Sequence, residues 1–241
     1  MTTSRWIGAR ERLVSGLARQ WREWRGYLLF FCCVWVPLRS AVVDYNPVPT
    51  GSMNPTIVEG DVVWVNKLAY GLRVPLTQLY VARWDEPRRG DIVVVLSPQD
   101  GTRLVKRVVG IPGDTVAMVE NRLHLNGQPV TYASPKHEYG ARITGPLRSR
   151  AHFAEEDLGG VEHPVMGLAG VSSPYRSFAP VVVPPGRYFL MGDSRDNSLD
   201  SRAFGLAARD DVLGRAGGVL VSFDLYDHYL PRPERFFTRL R

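Results

Sequence analysis

Cysteine is nearly absent from this 241-residue chain: Cys32 and Cys33 are its only two, and they are adjacent. Neighbouring cysteines seldom bridge each other, so no disulfide framework is available and stability has to come from a hydrophobic core. The pair reads as small apolar filler, with a lipidated thiol as the alternative. The five histidines are scattered, none at zinc-ligand spacing from another histidine or a cysteine, so the sequence holds no metal cluster and implies no cofactor. Lysine occurs only at Lys67, Lys106 and Lys136. Basic charge on the folded part is also short. Of the net +6, six arginines against Glu11 and Glu23 place +4 within residues 1–26. A nucleic-acid footprint across a domain is therefore not indicated.

Uninterrupted apolar length is limited too. Tyr27 to Leu38 is uncharged, Arg39 interrupts it, and Ala41-Val42-Val43 resume it, reaching only the lower end of membrane-crossing length. A buried core helix is disfavoured by the flanking arginines and by Trp21, Trp24 and Tyr27. A cleaved secretory signal fits the arginines, but no small-x-small site precedes Asp44. An uncleaved anchor over 27–43, its arginine-rich end in the cytoplasm, satisfies the positive-inside rule, with Arg39 snorkelling to the far interface. Residues 44–241 then lie outside the cytoplasm.

Beyond the anchor, β signals dominate. Asp61 to Asn66, Asp91 to Leu96 and Thr102 to Val109 are rich in β-branched residues. Thr115–Val119 and Arg122–Leu125 read as a hairpin through Glu120-Asn121, and Asn126-Gly127 marks the next turn. Arg187–Met191 and Gly214–Phe223 are later strands. Amphipathic helical periodicity is missing between Asp44 and Phe223, which predicts a mainly antiparallel β domain with short strands. Residues 133–180 are rich in glycine, proline, serine and charge, and read as a loop-rich insertion. The basic end, Arg232 to Arg241, reads as peripheral, against membrane headgroups.

Three stretches carry candidate chemistry. Pro49-Thr50-Gly51-Ser52-Met53-Asn54-Pro55-Thr56 stiffens the backbone around Ser52 with two prolines, while Gly51 leaves room beside the hydroxyl. Ser52 is either an exposed nucleophile or a residue of an ordinary serine turn. A nucleophile needs a base, and no histidine here lies in a persuasive motif. A lysine serves if burial lowers its pKa enough to leave it neutral. Strand alternation places Lys106 on the face of Leu104 and Val108, with Arg107 opposite; the competing reading is a solvated Lys-Arg pair at a sheet edge. Lys67 and Lys136 look exposed. The third stretch, Gly192 to Arg202, is dense in hydroxyls and opposite charges, as a solvated turn or as a rigid ion-paired loop holding hydroxyls against a site.

Together, Gly-Ser-Met-Asn-Pro-Thr at 51–56, Lys-Arg-Val-Val-Gly-Ile-Pro-Gly-Asp at 106–114 and Gly-Asp-Ser-Arg-Asp-Asn-Ser-Leu-Asp-Ser-Arg at 192–202 resemble the bacterial type I signal peptidases, membrane-anchored Ser/Lys proteases. Gly60-Asp61 and Arg89-Gly90-Asp91-Ile92-Val93 extend the resemblance, which runs from the anchor to about residue 222. It implies a mainly β, barrel-like antiparallel catalytic sheet with an N-terminal transmembrane helix. The expected division is a tail at 1–26, an anchor at 27–43, a catalytic domain at 44–132 and 181–223, an insertion at 133–180 and an extension at 224–241. By the same resemblance Ser52 is the nucleophile, Lys106 the general base and Ser198 the hydroxyl orienting the lysine. Ser52 N–H and the Thr50 hydroxyl form the oxyanion hole, with threonine where serine is common. Val48, Met53 and Val105 line the substrate pockets, and Asp193, Arg195, Asp200 and Arg202 form supporting ion pairs. Ser194 stands where asparagine is usual, and Ala207-Ala208 where Val-Pro is frequent. The implied substrates are exported preproteins with small residues three and one before the cut. The implied partners are the lipid bilayer and the secretion translocon, with the catalytic domain on the outer face of a bacterial inner membrane. Three alternatives stay open: a conjugation-type processing peptidase; the self-cleaving repressors, which carry a DNA-binding head that 1–43 does not resemble; and an anchored β domain that binds peptides without cutting them.

Overall fold

The computed structural model describes residues 20–135 and 138–240. Most of the expected basic tail, with Lys136, His137 and Arg241, lies outside the described residues. Residues 20–41 are helical, with a π-helical turn at Phe31–Trp35. Pro37 follows that turn; it has no N–H to donate to the carbonyl four residues back, and a widened turn absorbs the mismatch. Leu28, Leu29, Phe30, Phe31 and Trp35 are exposed along this helix. Among the described residues no helix is long and apolar enough to cross a membrane, so the anchor over 27–43 remains an expectation.

Among the described residues seventeen strands follow. In chain order they are β1 (Val43–Pro47), β2 (Asp61–Asn66), β3 (Gly71–Arg73), β4 (Tyr80–Arg83), β5 (Ile92–Leu96) and β6 (Arg103–Gly110). Next come β7 (Thr115–Val119), β8 (Arg122–Leu125), β9 (Gln128–Pro129), β10 (Thr131–Ala133), β11 (Ala151–Asp157) and β12 (Glu162–Leu168). The last are β13 (Phe178–Val182), β14 (Arg187–Met191), β15 (Ala207–Ala208), β16 (Val212–Asp224) and β17 (Leu230–Pro231). The main sheet runs β1-β2-β16-β5-β6-β14-β15, with β17 beside β16, and every described pairing in it is antiparallel. Among the described residues its two ends, β1 and β15, do not pair, so the sheet curls into a half-barrel, in keeping with the mainly β, barrel-like antiparallel expectation. Register shifts along β16 and between β14 and β6 bend it.

The centre of this sheet is buried on both faces, which explains why Ile92 to Leu96 is a continuous apolar run instead of an alternating one. Ile92 and Val94 join one core cluster with Val48, Met53, Ile57 and Val105. Val93 and Val95 join another with Tyr70, Val108 and Leu190. A third cluster packs β7 and β8 against Val109, Phe189 and Met191.

Two expectations need correction. The segment 133–180 is not loop-rich throughout: β11 and β12 are seven-residue strands that pair along their whole length and extend to β10. Their sequences, AHFAEED and EHPVMGL, hide this because the buried side chains include Glu155, Glu156 and His163, which a search for apolar alternation passes over. Two of the C-terminal arginines, Arg232 and Arg235, are not displayed outward either, whereas Arg239 is exposed. Arg232 donates to Glu59 O and lies 3.1 Å from the Asp224 carboxylate, and Arg235 pairs with Asp61, so the extension packs back onto β2 and β16.

Candidate active site

Gly51–Met53 forms a single 3-10 turn between β1 and β2, with Met53 fully buried and Ser52 partly exposed. The two prolines flank this tight turn. A Cβ at Gly51 would overlap the Glu59 carboxylate, and Asn54 Nδ2 donates to that same carboxylate at 3.3 Å. The space beside the serine that glycine opens is thus filled by the protein itself. Thr50 leads into the turn with extended backbone angles, and its hydroxyl does not cap it.

Lys106 sits in β6, between β5 and β14, not at a sheet edge. It is 2% exposed, and Nζ lies 2.7 Å from Ser52 Oγ and donates to Val105 O at 3.0 Å. Burial disfavours the ammonium and pushes the pKa down to about 8, against the opposing pull of Asp200 and Asp193. Arg107 is fully buried as well, which removes the reading of a solvated pair. Its Nε and Nη2 each donate at 2.8 Å to the Asp193 carboxylate, and Nη1 donates to Gly90 O at 2.9 Å. Lys67, expected to be exposed, is half-buried with Nζ 3.3 Å from Asp44.

The loop after β14 supplies the other wall. A Cβ at Gly192 would overlap both Ser198 Oγ and the Ser52 carbonyl oxygen, so the loop meets the serine turn only because residue 192 has no side chain. Ser194 N donates to Ser52 O at 3.1 Å, and Gly192 N donates to Asp200 at 2.9 Å. Ser198 Oγ is buried but forms no hydrogen bond, so the expected bond to Lys106 is not made, and Val105 O accepts from the amine instead. Burial alone would raise the Asp200 carboxyl, but Arg202 beside it keeps it acidic, with Gly192 N–H and the nearby Ser198 hydroxyl acting in the same direction.

Of the four expected ion-pair residues, only Asp200 and Arg202 pair with each other, through two bonds of 2.8 Å. Asp193 instead holds Arg107 and accepts from the Thr56 hydroxyl. Burial alone would raise the Asp193 carboxyl, but Arg107 beside it keeps it below the usual carboxylate range. Arg195 reaches out of the loop to Glu156 on β11, with Nη1 to Oε2 at 2.8 Å and Nη2 on Oε1. Tyr132 donates to the same carboxylate, and His163 Nε2 lies 3.5 Å from it. Main-chain bonds reinforce the link, Met166 N to Asp193 O at 2.9 Å and Arg195 N to Met166 O at 2.8 Å. Sequence reading missed Thr56, Glu156 and His163 in this network. Thr56 lies inside a quoted motif, whereas nothing local marks Glu156 or His163.

Val48, Met53 and Val105 do meet: all three belong to the core cluster beneath the serine turn, at 5%, 0% and 7% exposure. Among the described residues no group of three or more histidine, cysteine, aspartate or glutamate side chains is arranged to hold a metal ion.

The family described as "Signal peptidase, peptidase S26" matches residues 21–221 of the chain. The chain is 38% identical over 200 residues to signal peptidase I of Pseudomonas fluorescens, covering 77% of this chain and 67% of that one. It is 31% identical over 227 residues to signal peptidase I of Buchnera aphidicola from Schizaphis graminum, covering 80% of this chain and 73% of that one. A crystal structure of a signal peptidase I from Enterococcus faecalis overlaps 54% of this chain and 97% of its own, at 28% identity and a TM-score of 0.34. A buried lysine against a serine, and sequence likeness over most of the chain, lead to one conclusion: the chain belongs to the signal peptidase family, peptidase S26, and is a serine endopeptidase acting on the signal peptides of preproteins.

Proposed function

We propose that the chain is a membrane-anchored endopeptidase that removes N-terminal signal peptides with a Ser52/Lys106 dyad. The observation that carries this reading is the 2.7 Å separation of Ser52 Oγ from an Nζ that burial holds near the threshold of deprotonation. The neutral Lys106 amine takes the Ser52 proton as Oγ attacks the scissile carbonyl carbon. The resulting oxyanion is met by Ser52 N–H and the Thr50 hydroxyl. The ammonium then protonates the leaving amine, and a water, deprotonated by the same lysine, hydrolyses the acyl-enzyme. Ser198 takes the orienting role by turning its unsatisfied hydroxyl toward the amine, since a buried polar group without a partner costs about 1–3 kcal/mol. Val48, Met53 and Val105 form the floor under the substrate's small residues.

The finer topology belongs to the same proposal. Residues 27–43 anchor the chain, with the N-terminus in the cytoplasm and the catalytic domain of 44–132 and 181–223 on the outer face, where the translocon delivers its substrates. The arginines preceding the helix and its exposed apolar side chains support this. The insertion at 133–180 and the extension at 224–241 complete the division. Purified full-length protein is expected to cut a model preprotein after a small residue, and Ser52→Ala and Lys106→Ala to abolish the cut. Equal cleavage by all three proteins overturns the dyad, and no cleavage by any of them leaves a peptide-binding module.

A further inference from the structure

The junction between the helix and the first strands gathers more positive charge than the protein neutralises. A cleft of about 440 Å³ opens there, with Phe31, Trp35 and Leu76 in its wall and Arg39, Lys67 and Arg103 around its one carboxylate. That carboxylate, Asp44, lies 3.1 Å from Arg103 Nη1, 3.3 Å from Lys67 Nζ and 3.4 Å from Arg39 Nε. Three cations on a single carboxylate leave two charges uncompensated. Arg73 lines the same cleft and donates to Tyr80 OH and to the Asp210 and Val212 carbonyls, so it brings a further charge with no carboxylate.

The crowding is visible in the groups themselves. Burial lowers the Lys67 pKa, Arg103 and Arg73 lower it further, and Asp44 offsets only part of this. Two of the cations also have donors to spare. A guanidinium carries five N–H groups; Arg39 and Arg103 each direct one at Asp44 and keep 47% and 49% of their side-chain surface exposed. A concave site with surplus, reachable guanidinium charge is built for an anion.

What distinguishes the site is its other wall. Phe31 and Trp35 are 52% and 48% exposed, and Val34 and Leu38 extend the apolar surface along the same helix. A soluble anion has no use for that surface; an amphiphilic one does. We propose that the cleft binds an anionic phospholipid, its phosphate on Arg39, Arg103 and Lys67 and its acyl chains along Phe31 and Trp35. The proposal rests on the reading of 27–43 as a membrane anchor, which would bring this cleft to the headgroup level of the outer leaflet.

Native mass spectrometry of the full chain in non-ionic detergent tests it, with phosphatidylglycerol and phosphatidylcholine offered at equal concentration. The wild type is expected to retain phosphatidylglycerol with a preference of about tenfold or more. The doubly neutralised variant Arg39→Gln/Arg103→Gln should lose the preference while cleaving a short soluble peptide at the wild-type rate. Equal retention of both lipids, or an unchanged preference in the variant, overturns the proposal. Displacement of phosphatidylglycerol by millimolar inorganic phosphate, with retention independent of the acyl chains, assigns the site to a soluble anion and overturns the lipid. Carbonate extraction of membranes tests the anchor separately: release of the wild-type chain sinks that reading whatever the lipid result.

Discussion

At the scale of single residues the site turns on one proton. With the Lys106 pKa near 8, about one tenth of the enzyme holds a neutral amine at pH 7 and about nine tenths at pH 9. The rate constant kcat/KM is expected to rise about tenfold per pH unit below 7 and to level off above 8; a profile flat from pH 6 to 9 refutes the assignment. The same shift bears on stability. The folded pKa lies below the unfolded value of 10.5, so the folded state binds fewer protons between about 8 and 10.5, and stability rises with pH through that window. Below it the charged amine opposes folding, and Lys106→Met should stabilise the inactive protein at pH 7 by up to about 3 kcal/mol, readable as a higher Tm. Thr50→Val is expected to lower kcat about 10²–10³-fold with little change in KM, and Thr50→Ser to keep activity. The closeness of Ser52 and Lys106 was legible only from the three motifs taken together, since the residues by themselves left an ordinary serine turn and a solvated Lys-Arg pair open. The Ser198 contact was not, because a hydroxyl rotamer depends on neighbours that no motif specifies.

At the scale of elements the β11–β12 hairpin is part of the site's frame. Arg195 and Glu156 are both almost fully buried, and their pair ties the loop carrying Asp193 and Ser198 to a segment that looks like an insertion. Arg195→Met strands the Glu156 charge and should cost about 3–5 kcal/mol in urea unfolding, while Arg195→Met/Glu156→Met should recover much of that loss. If the single and double variants are equally destabilised, the pair contributes packing and not charge compensation. Strands with continuous or alternating apolar residues were readable within a residue or two, as in β2, β7, β8 and β14. The hairpin was not, since its inward positions include Glu155, Glu156 and His163, and the groups that hold Glu156, Arg195 and Tyr132, lie elsewhere in the chain. The strand order of the main sheet was equally hidden, because which strands pair is a property of the assembled sheet.

At the scale of the whole molecule the polar interior sets an acid limit. His163 is 1% exposed, neither ring nitrogen has a hydrogen-bond partner, and burial and then Arg107 push its pKa down to about 4. The unfolded chain therefore binds a proton that the folded chain refuses between about 6.5 and 4, and stability falls as pH drops through that window, by roughly 3 kcal/mol in all. The buried aspartates, held below their ordinary values, lose their contribution only at lower pH, so the two effects separate. His163→Gln should flatten the dependence of Tm on pH between 6.5 and 4, and an unchanged slope in that variant assigns the acid limit to other groups. The helix over 20–41 passes into β1 at Val43, and nine residues later the chain reaches Ser52. Fully stretched, such a tether spans about 30 Å. With the helix seated in a bilayer, the blade hangs at a fixed, low altitude, and only chains threaded past that height can be cut. Abundant free-floating proteins with small-x-small sequences would then be spared by geography alone.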